Sequence, residues 1–340
     1  MKKNKRILGI GIPSYNGEKY LDRCIPTFIH KDIMEKIEVI IVNDGSTDNT
    51  KKIAEKYQKM YPDTVFVINK ENGGHGSAVN AALEFTSAKY YKVVDCDDWV
   101  DTSKLVKLVN FLENNDVDIV TNTYETVDMV TGYSNRIAND GYEYGKIYNF
   151  SELHVKNLYL SIHSTTYKTD ILKKNNIKLQ ENTFFVDVEY QLLPTPYIKT
   201  IAFLNDIVYK YMIGNVNQSV NIDNFVKRYD HHDRVVKRII EFLKKAKLSE
   251  NQYLYVESVF LQVLNTHYNL SSYYDSDEDR GRKRSIEFDK YLLKNNKLLY
   301  EKLGAQYKNI YKLRKYNFDR KKAEKQSFET LRKIKRVLFN

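Results

Sequence analysis

The sequence predicts an α/β fold, a mostly parallel sheet with helices on both faces, followed by a C-terminal helical region. Three observations lead there. Short apolar runs suited to buried strands alternate with apolar residues at helical spacing through about the first 120 residues. A polar or glycine-bearing loop follows each of these runs. After Asn221 the alternation gives way to long helical patterns.

Ile7 to Ile12 reads as a buried strand, followed by the loop Pro13-Ser14-Tyr15-Asn16-Gly17 and by Tyr20, Leu21, Cys24, Ile25 and Phe28 at helical spacing. The second unit is Glu38 to Val42, the loop Asn43 to Asp48 with Ser46 as helix N-cap, and a helix to about Lys59. The third is Thr64 to Ile68, the loop Asn72 to Gly76 and a helix through Phe85. A fourth strand, Tyr91 to Val94, runs directly into Asp95-Cys96-Asp97-Asp98-Trp99. The tyrosine-rich stretch Tyr124 to Tyr148 reads as short antiparallel strands or an excursion, and α/β character returns from Ser151 to Ile213. Helices over Phe225 to Ala246 and Asn251 to Tyr273 follow, which sets a boundary near residue 221 and divides the chain into 1–221 and 222–340. In open sheets of this kind ligands bind beyond the carboxyl ends of the strands, where all of these loops fall.

At 340 residues, with 42% hydrophobic and 29% charged side chains, the composition is that of a folded protein and excludes a mostly disordered one. The net charge of +10 is localised: residues 222–340 carry 28 Lys and Arg against 16 Asp and Glu. No recognised nucleic-acid-binding motif accompanies this surplus, so nucleic acid is not expected as a partner. Cys24 and Cys96 lie far apart and suggest neither a disulfide framework nor a cysteine zinc site, which fits a reducing, cytoplasmic setting. The apolar run after the basic start is too short for a secretory signal, and no stretch is long enough for a membrane span.

The Asp95-Cys96-Asp97-Asp98 run has definite chemistry. Asp-x-Asp after a strand puts two carboxylates on one side of an extended backbone, and hard oxygen ligands of this kind suit Mg²⁺ or Mn²⁺ bridging to a diphosphate. The alternative is an acidic loop that caps the next helix through Asp101 or Thr102. In the loop Asn43 to Asp48, the Asp44 carboxylate could accept the ring N–H of a uracil-type base. Pro13, Ser14, Tyr15 and Asn16 would flank the same base or its ribose, with Tyr15 as stacking surface, unless they form only a tight turn. The glycines of Lys70 to Gly76 would let backbone approach a nucleotide closely.

Four motifs in this order resemble glycosyltransferase family 2, whose GT-A catalytic domain carries a proline-bearing first loop, an Asp-Gly-Ser-x-Asp, an Asn-x-Gly loop and an Asp-x-Asp-Asp. Here these are Pro13 to Asn16, Asp44 to Asp48, Asn72 to Gly76 and Asp95 to Asp98, and the likeness covers about residues 5–220. The resemblance implies a Rossmann-like GT-A fold and an inverting, non-processive transfer from a nucleotide sugar, most simply a UDP-sugar, with Mg²⁺ or Mn²⁺ as cofactor. It assigns the base to Asp44, the ribose or metal shell to Asp95 and direct metal ligation to Asp97, and it groups Lys70, Gly74 and Cys96 with the donor contacts. It also implies a general base at the start of a helix after an aromatic, extended segment. Thr183-Phe184-Phe185-Val186-Asp187-Val188-Glu189 occupies that place, with Asp187 as base and Glu189 as second choice.

The chain departs from the family pattern in three places. Val186-Asp187 replaces a common Glu-Asp pair, and the Gln-x-x-Arg-Trp of processive members is absent. The segment Tyr211 to Ser219, which resembles a donor-closing loop, lacks its usual basic residue, so the cation or Lys70 would neutralise more of the diphosphate. His163 reads either as a metal or acceptor contact or as a structural histidine. At the end of the chain, Phe328, Leu331, Ile334 and Leu338 share a helical face among Arg332, Lys333, Lys335 and Arg336. That pattern suits peripheral contact with the inner face of the cell membrane, and so a lipid-linked or other glycan acceptor, or else a packing face. Two competing functions remain at this stage: a sugar-1-phosphate nucleotidyltransferase, disfavoured by a first loop whose first cation is Lys19, and an inactive GT-A carbohydrate-binding or scaffold protein.

Overall fold

The computed structural model describes residues 6–155, 158–214 and 222–324. The chain forms two compact units: one from the described residues of Met1–Gln218 with Lys247–Tyr255, the other from those of Ser219–Ala246 and Val256–Asn340.

In the first unit β1 (Leu8–Ser14) and β2 (Ile37–Asp44) are buried at every position, as expected of parallel strands covered on both faces. With β3 (Val65–Lys70) and β4 (Tyr90–Val93) they form the parallel half of one ten-stranded sheet, in the order β3-β2-β1-β4. Beyond β4 the sheet is mixed. β5 (Trp99–Val100) lies antiparallel to β10 (Thr200–Ile213), and β6 (Ile119–Asp128) runs parallel to β10. β7 (Ser134–Ile137) folds back on β6, and β8 (Ile147–Asn149) pairs with β10. These are the antiparallel strands expected in the tyrosine-rich stretch. β9 (Thr165–Lys168) inserts antiparallel between β4 and β6.

Helices of the first unit are α1 (Leu21–Cys24), α2 (Thr50–Met60), α3 (Gly74–Phe85), α4 (Thr102–Asn114), α5 (Thr169–Lys174) and α6 (Asp187–Leu192). The helix expected over Tyr20 to Phe28 is divided: α1 gives way to a tighter turn, Ile25–Phe28, containing Pro26, which has no N–H to continue the helical ladder. Asp101 caps α4 by accepting from the Lys104 amide, as the capping alternative proposed. Ser46 does not cap α2. Asn49 takes that position, and the Asp48 carboxylate instead accepts from the Thr50 amide at 2.9 Å, while Ser46 Oγ accepts from the Asn16 amide. The core beneath the sheet joins Leu8, Ile10, Ile12, Val39, Ile41 and Tyr90 to Leu105, Leu108 and Leu112 of α4.

The second unit is helical: α7 (Ile222–Lys227), α8 (Tyr229–Leu243), the later residues of α9 (Glu250–Asn269), α10 (Glu278–Asn295), α11 (Lys297–Gln306) and α12 (Lys308–Lys315). Its interior is partly aromatic, with His267 buried against the rings of Phe288 at 4.2 Å and Tyr229 at 4.7 Å. Among the described residues no helix is long and apolar enough to cross a membrane. The amphipathic pattern of Ser327 to Asn340 and the Asn215 to Ser219 part of the closing segment lie outside the described residues.

One close approach fixes where the later chain meets the sheet's rim. A Cβ at Gly76, in the first turn of α3, would stand 2.3 Å from the backbone oxygen of Gln180. Gly76→Ala is therefore expected to lower stability by about 1–3 kcal/mol, the usual range for overpacking, read as a lower urea midpoint at unchanged slope.

Candidate active site

The four loops singled out in the sequence follow four adjacent strands, so they line one continuous rim, and each is hydrogen-bonded to the next. Asn16 accepts from the Thr47 amide at 2.9 Å, which ties the first loop to the second. Asp44, buried at the end of β2, accepts from the amides of Gly73 at 3.0 Å and Gly74 at 2.8 Å and from Lys70 Nζ at 2.7 Å. Gly74 adopts φ +81°, a left-handed conformation that glycine takes without strain. His75, next along α3, meets Asp95 at 2.8 Å, and Cys96 packs against Gly17.

Several expected donor contacts thus have partners within the protein. Lys70 is paired with Asp44, Gly74 bonds Asp44 through its amide, and Ser14 is buried with its hydroxyl donating to the Ile12 carbonyl at 3.1 Å. Pro13 is buried at the strand end. Tyr15 is 55% exposed and open to stacking.

In the acidic motif the three aspartates have different surroundings. Asp98 is fully buried: one oxygen accepts from the Tyr209 hydroxyl at 2.5 Å and the other from the Met212 amide at 2.7 Å, both on β10. Burial, then the charges of Asp97 and Asp95, push its carboxyl well above the ordinary range. Burial and Asp95 likewise lift Asp97 to about 6. The backbone oxygen of Asp97 accepts from Arg23, whose guanidinium lies 4.2 Å above the Trp99 ring. Burial works against ionisation of Asp95, but the facing His75 holds it below its ordinary value. His75 shows the counterpart: burial opposes its charge, and the Asp95 carboxylate raises it to about 9.

Among the described residues, Asp95, Asp98 and His163 bring metal-ligand atoms within 4.8 Å of one another. Asp97 is not part of that cluster. His163 is stacked on Tyr211 at 4.2 Å, and burial depresses its imidazole to about 4, so the ring is neutral and its lone pair is available. Carboxylate oxygen with a neutral imidazole is a donor set that suits Mn²⁺, and the pKa values of Asp97 and Asp98, lifted first by burial and then by the neighbouring aspartates, mark carboxylates that a divalent cation would favour in their ionised form. The residues therefore fit such an ion.

Asp187 opens α6, exposed, within electrostatic reach of His75 and Asp95. Although Asp187 keeps contact with solvent, crowding by the surrounding protein partly desolvates its carboxylate and raises its pKa; His75 opposes the rise and Asp95 adds to it. Glu189 is buried and accepts from the Gln180 amide at 2.9 Å and its side chain at 2.5 Å, so it pins the segment before α6. Sequence reasoning gave no role to His75, Arg23 or Tyr209. Of these, His75 carried a signal, a titratable side chain in a glycine loop at a helix start, whereas the other two act through pairings distant in sequence.

The glycosyl transferase family 2 model matches residues 10–175. Among curated proteins, the minor teichoic acid biosynthesis protein GgaB of Bacillus subtilis is 26% identical over 301 residues, covering 78% of this chain and 32% of its own length. Glycosyltransferase GlyA of Streptococcus pneumoniae is 28% identical over 216 residues, covering 59% of this chain and 30% of its own. The chain thus spans about a third of the length of these two relatives. An uncharacterised glycosyltransferase of Haemophilus influenzae is 25% identical, with 85% of this chain and 87% of its own length covered. Among solved structures, residues 1–349 of S. aureus TarS in complex with UDP-GlcNAc superpose with a TM-score of 0.69 at 20% identity, covering 95% of this chain and 92% of that one. The mannosyltransferase PcManGT from Pyrobaculum calidifontis, in complex with GDP-Man and Mn²⁺, gives 0.50 at 13% identity, covering 88% and 83%.

The His75–Asp95 pair has a pH signature. Because the folded-state pKa of His75 is raised to about 9, its stabilisation is complete below the unfolded value near 6.5 and is lost as pH rises through about 9. In metal-free protein His75→Gln is expected to cost about 1–2 kcal/mol at pH 6, allowing for solvent at a site 29% exposed, and far less at pH 10. Urea unfolding of both forms across that range is the measurement; a pH-independent difference would refute the ion pair.

Proposed function

Because the chain is a glycosyltransferase belonging to family 2, we propose that it transfers a sugar with inversion from a UDP-sugar to an acceptor hydroxyl in the synthesis of a cell-surface glycan. The observation that carries this reading is the convergence, at the ends of four adjacent strands, of Asp44, Asp95 and Asp97 with Asp187 in electrostatic reach. UDP-GlcNAc in the S. aureus TarS structure and the teichoic acid role in the name of GgaB support the donor and product class.

In the proposed reaction Asp187 takes the proton of the acceptor hydroxyl, the acceptor oxygen attacks the anomeric carbon, and the bond to UDP breaks on the opposite face. The raised pKa of Asp187 makes it a stronger base than an ordinary aspartate. Tyr15 offers a face for the uracil ring. Asp44 keeps acceptor capacity for the ring N–H, since three donors occupy its two oxygens. A divalent cation, Mn²⁺ or Mg²⁺, held by Asp95 with His163 beside the buried Asp98, or drawn toward Asp97 once the diphosphate is bound, would supply positive charge for the departing diphosphate. Asp98 is left to shape the loop. We further propose that the acceptor is a glycan or lipid-linked sugar and that the basic C-terminal region brings the enzyme to the inner face of the membrane.

Asp187→Asn is expected to lower kcat by about 10² to 10⁴ while leaving the UDP affinity within about twofold; near-normal turnover would remove Asp187 from the role. Titration with UDP, GDP, CDP and dTDP, each with and without Mn²⁺, is expected to give UDP-selective binding that Mn²⁺ strengthens and that Asp97→Ala makes metal-independent. Absence of nucleotide binding in every titration would instead favour an inactive scaffold.

A further inference from the structure

β4 is buried at all four positions, yet one of them is Lys92, whose side chain is fully enclosed. Its Nζ donates to the backbone oxygens of His163 at 2.8 Å and Thr165 at 3.3 Å and to Asn122 Oδ1 at 3.4 Å, and it lies 5.6 Å from the centre of the Tyr209 ring. Among the described residues it makes no ion pair. An enclosed ammonium without a counter-charge is costly, and an apolar side chain would fill a buried strand position at lower cost. What the lysine adds is reach. A single donor group joins the loop carrying His163 to a strand that ends at Val93 and leads, three residues after Lys92, into Asp95.

The ring of His163 has other restraints, all local or lateral: Ser161 Oγ lies 3.3 Å from Nδ1 and accepts from the His163 amide at 3.1 Å, and Tyr211 stacks on one face. The rings of Tyr209 and Tyr124 also lie 5.0 and 5.4 Å from the imidazole, and the ladder between β4 and β9 ends at Tyr91 and Tyr167, so beyond that end it is Lys92 that reaches from β4 to the loop. We infer that Lys92 is a positioning residue, holding the His163 main chain in register with β4 so that the imidazole and the Asp95 carboxylate stand close enough to share one ligand. The inference rests on the proposed cation site only in naming that ligand.

The test uses the full chain and two readouts. In metal-free protein, the ring nitrogen–proton correlations of His163, assigned by their loss in His163→Gln, report where the imidazole sits. Free-Mn²⁺ electron paramagnetic resonance in the presence of UDP gives the metal affinity. Lys92→Met, unbranched, one atom shorter and without a donor, is expected to displace the His163 signals and to weaken Mn²⁺ binding about tenfold or more, as loss of an outer-shell support typically does. Leu108→Ala, a core substitution in α4, controls for lost stability and is expected to leave both readouts at wild-type values. If Lys92→Met does not fold, Lys92→Gln, which keeps a shorter donor, takes its place with the same expectation. Wild-type His163 signals and wild-type Mn²⁺ affinity in the Lys92 variant would overturn the inference. Failure of the wild-type protein to bind Mn²⁺ would overturn the cation site instead, and the His163 signals alone would then decide the role of Lys92.

Discussion

The site depends first on one buried carboxylate. Asp98 has no contact with water, so its polar oxygens must be met within the protein, and both partners come from β10. The carboxyl end of β4 is thereby drawn against a strand that begins more than 100 residues later in the chain. The same Tyr209 hydroxyl that donates to Asp98 accepts from the Asp95 amide at 3.2 Å, so the acidic loop is fixed at both ends by one phenol. Asp95 and Asp97 are the aspartates of the run that this arrangement leaves partly open to solvent. They stay close enough to raise one another's cost of ionisation, a condition that persists only where positive charge is available nearby.

Asp44 applies the same logic one strand away. By accepting two successive amides at the start of α3 it orients that helix's first turn, where unsatisfied N–H groups and the helix dipole favour negative charge. Lys70 is drawn into the same cluster, and the side chain that pairs with the Asp95 carboxylate is His75 instead. An imidazolium at that position can balance Asp95 without filling the space a long ammonium would need.

The parallel half of the sheet was legible because its strands are mostly apolar and its loops are marked by Pro13, Gly45, Gly73 and Gly74. Asp187 and Glu189 could be separated as well, since residues two apart on a helix face different directions, and the structure buries one and exposes the other. What could not be read locally depends on pairing. β9 is four residues with no distinguishing pattern, and its place between β4 and β6 is set by backbone partners far away in sequence. Ser46 failed as a cap because its hydroxyl is claimed by Asn16, a contact that exists only after β1 and β2 have paired. Lys92, inside the apolar run Tyr91 to Val94, gave no sign of its role for the same reason: its three acceptors lie on β6 and around β9.

The approach to Asp187 shows how a departure from the family pattern can be absorbed. The chain reaches α6 through two left-handed residues, Asn182 at φ +49° and Phe185 at φ +67°, and the second is a bulky aromatic for which that conformation is strained. Strain of this kind persists when neighbours over-determine the path. Here the Asn182 amide donates to the Gly73 oxygen at 2.6 Å, Gly74 and Gly76 leave room for backbone against α3, and the buried Glu189 returns to hold Gln180. Val186 is buried, so an acidic side chain at that position would require its own donors. With Glu189 already anchoring the segment, the chain can carry an apolar residue there and keep a single carboxylate, Asp187, facing the rim. Its register is then inherited from the same first turn of α3 that carries His75, so the proposed base and the acidic motif are held to one piece of backbone.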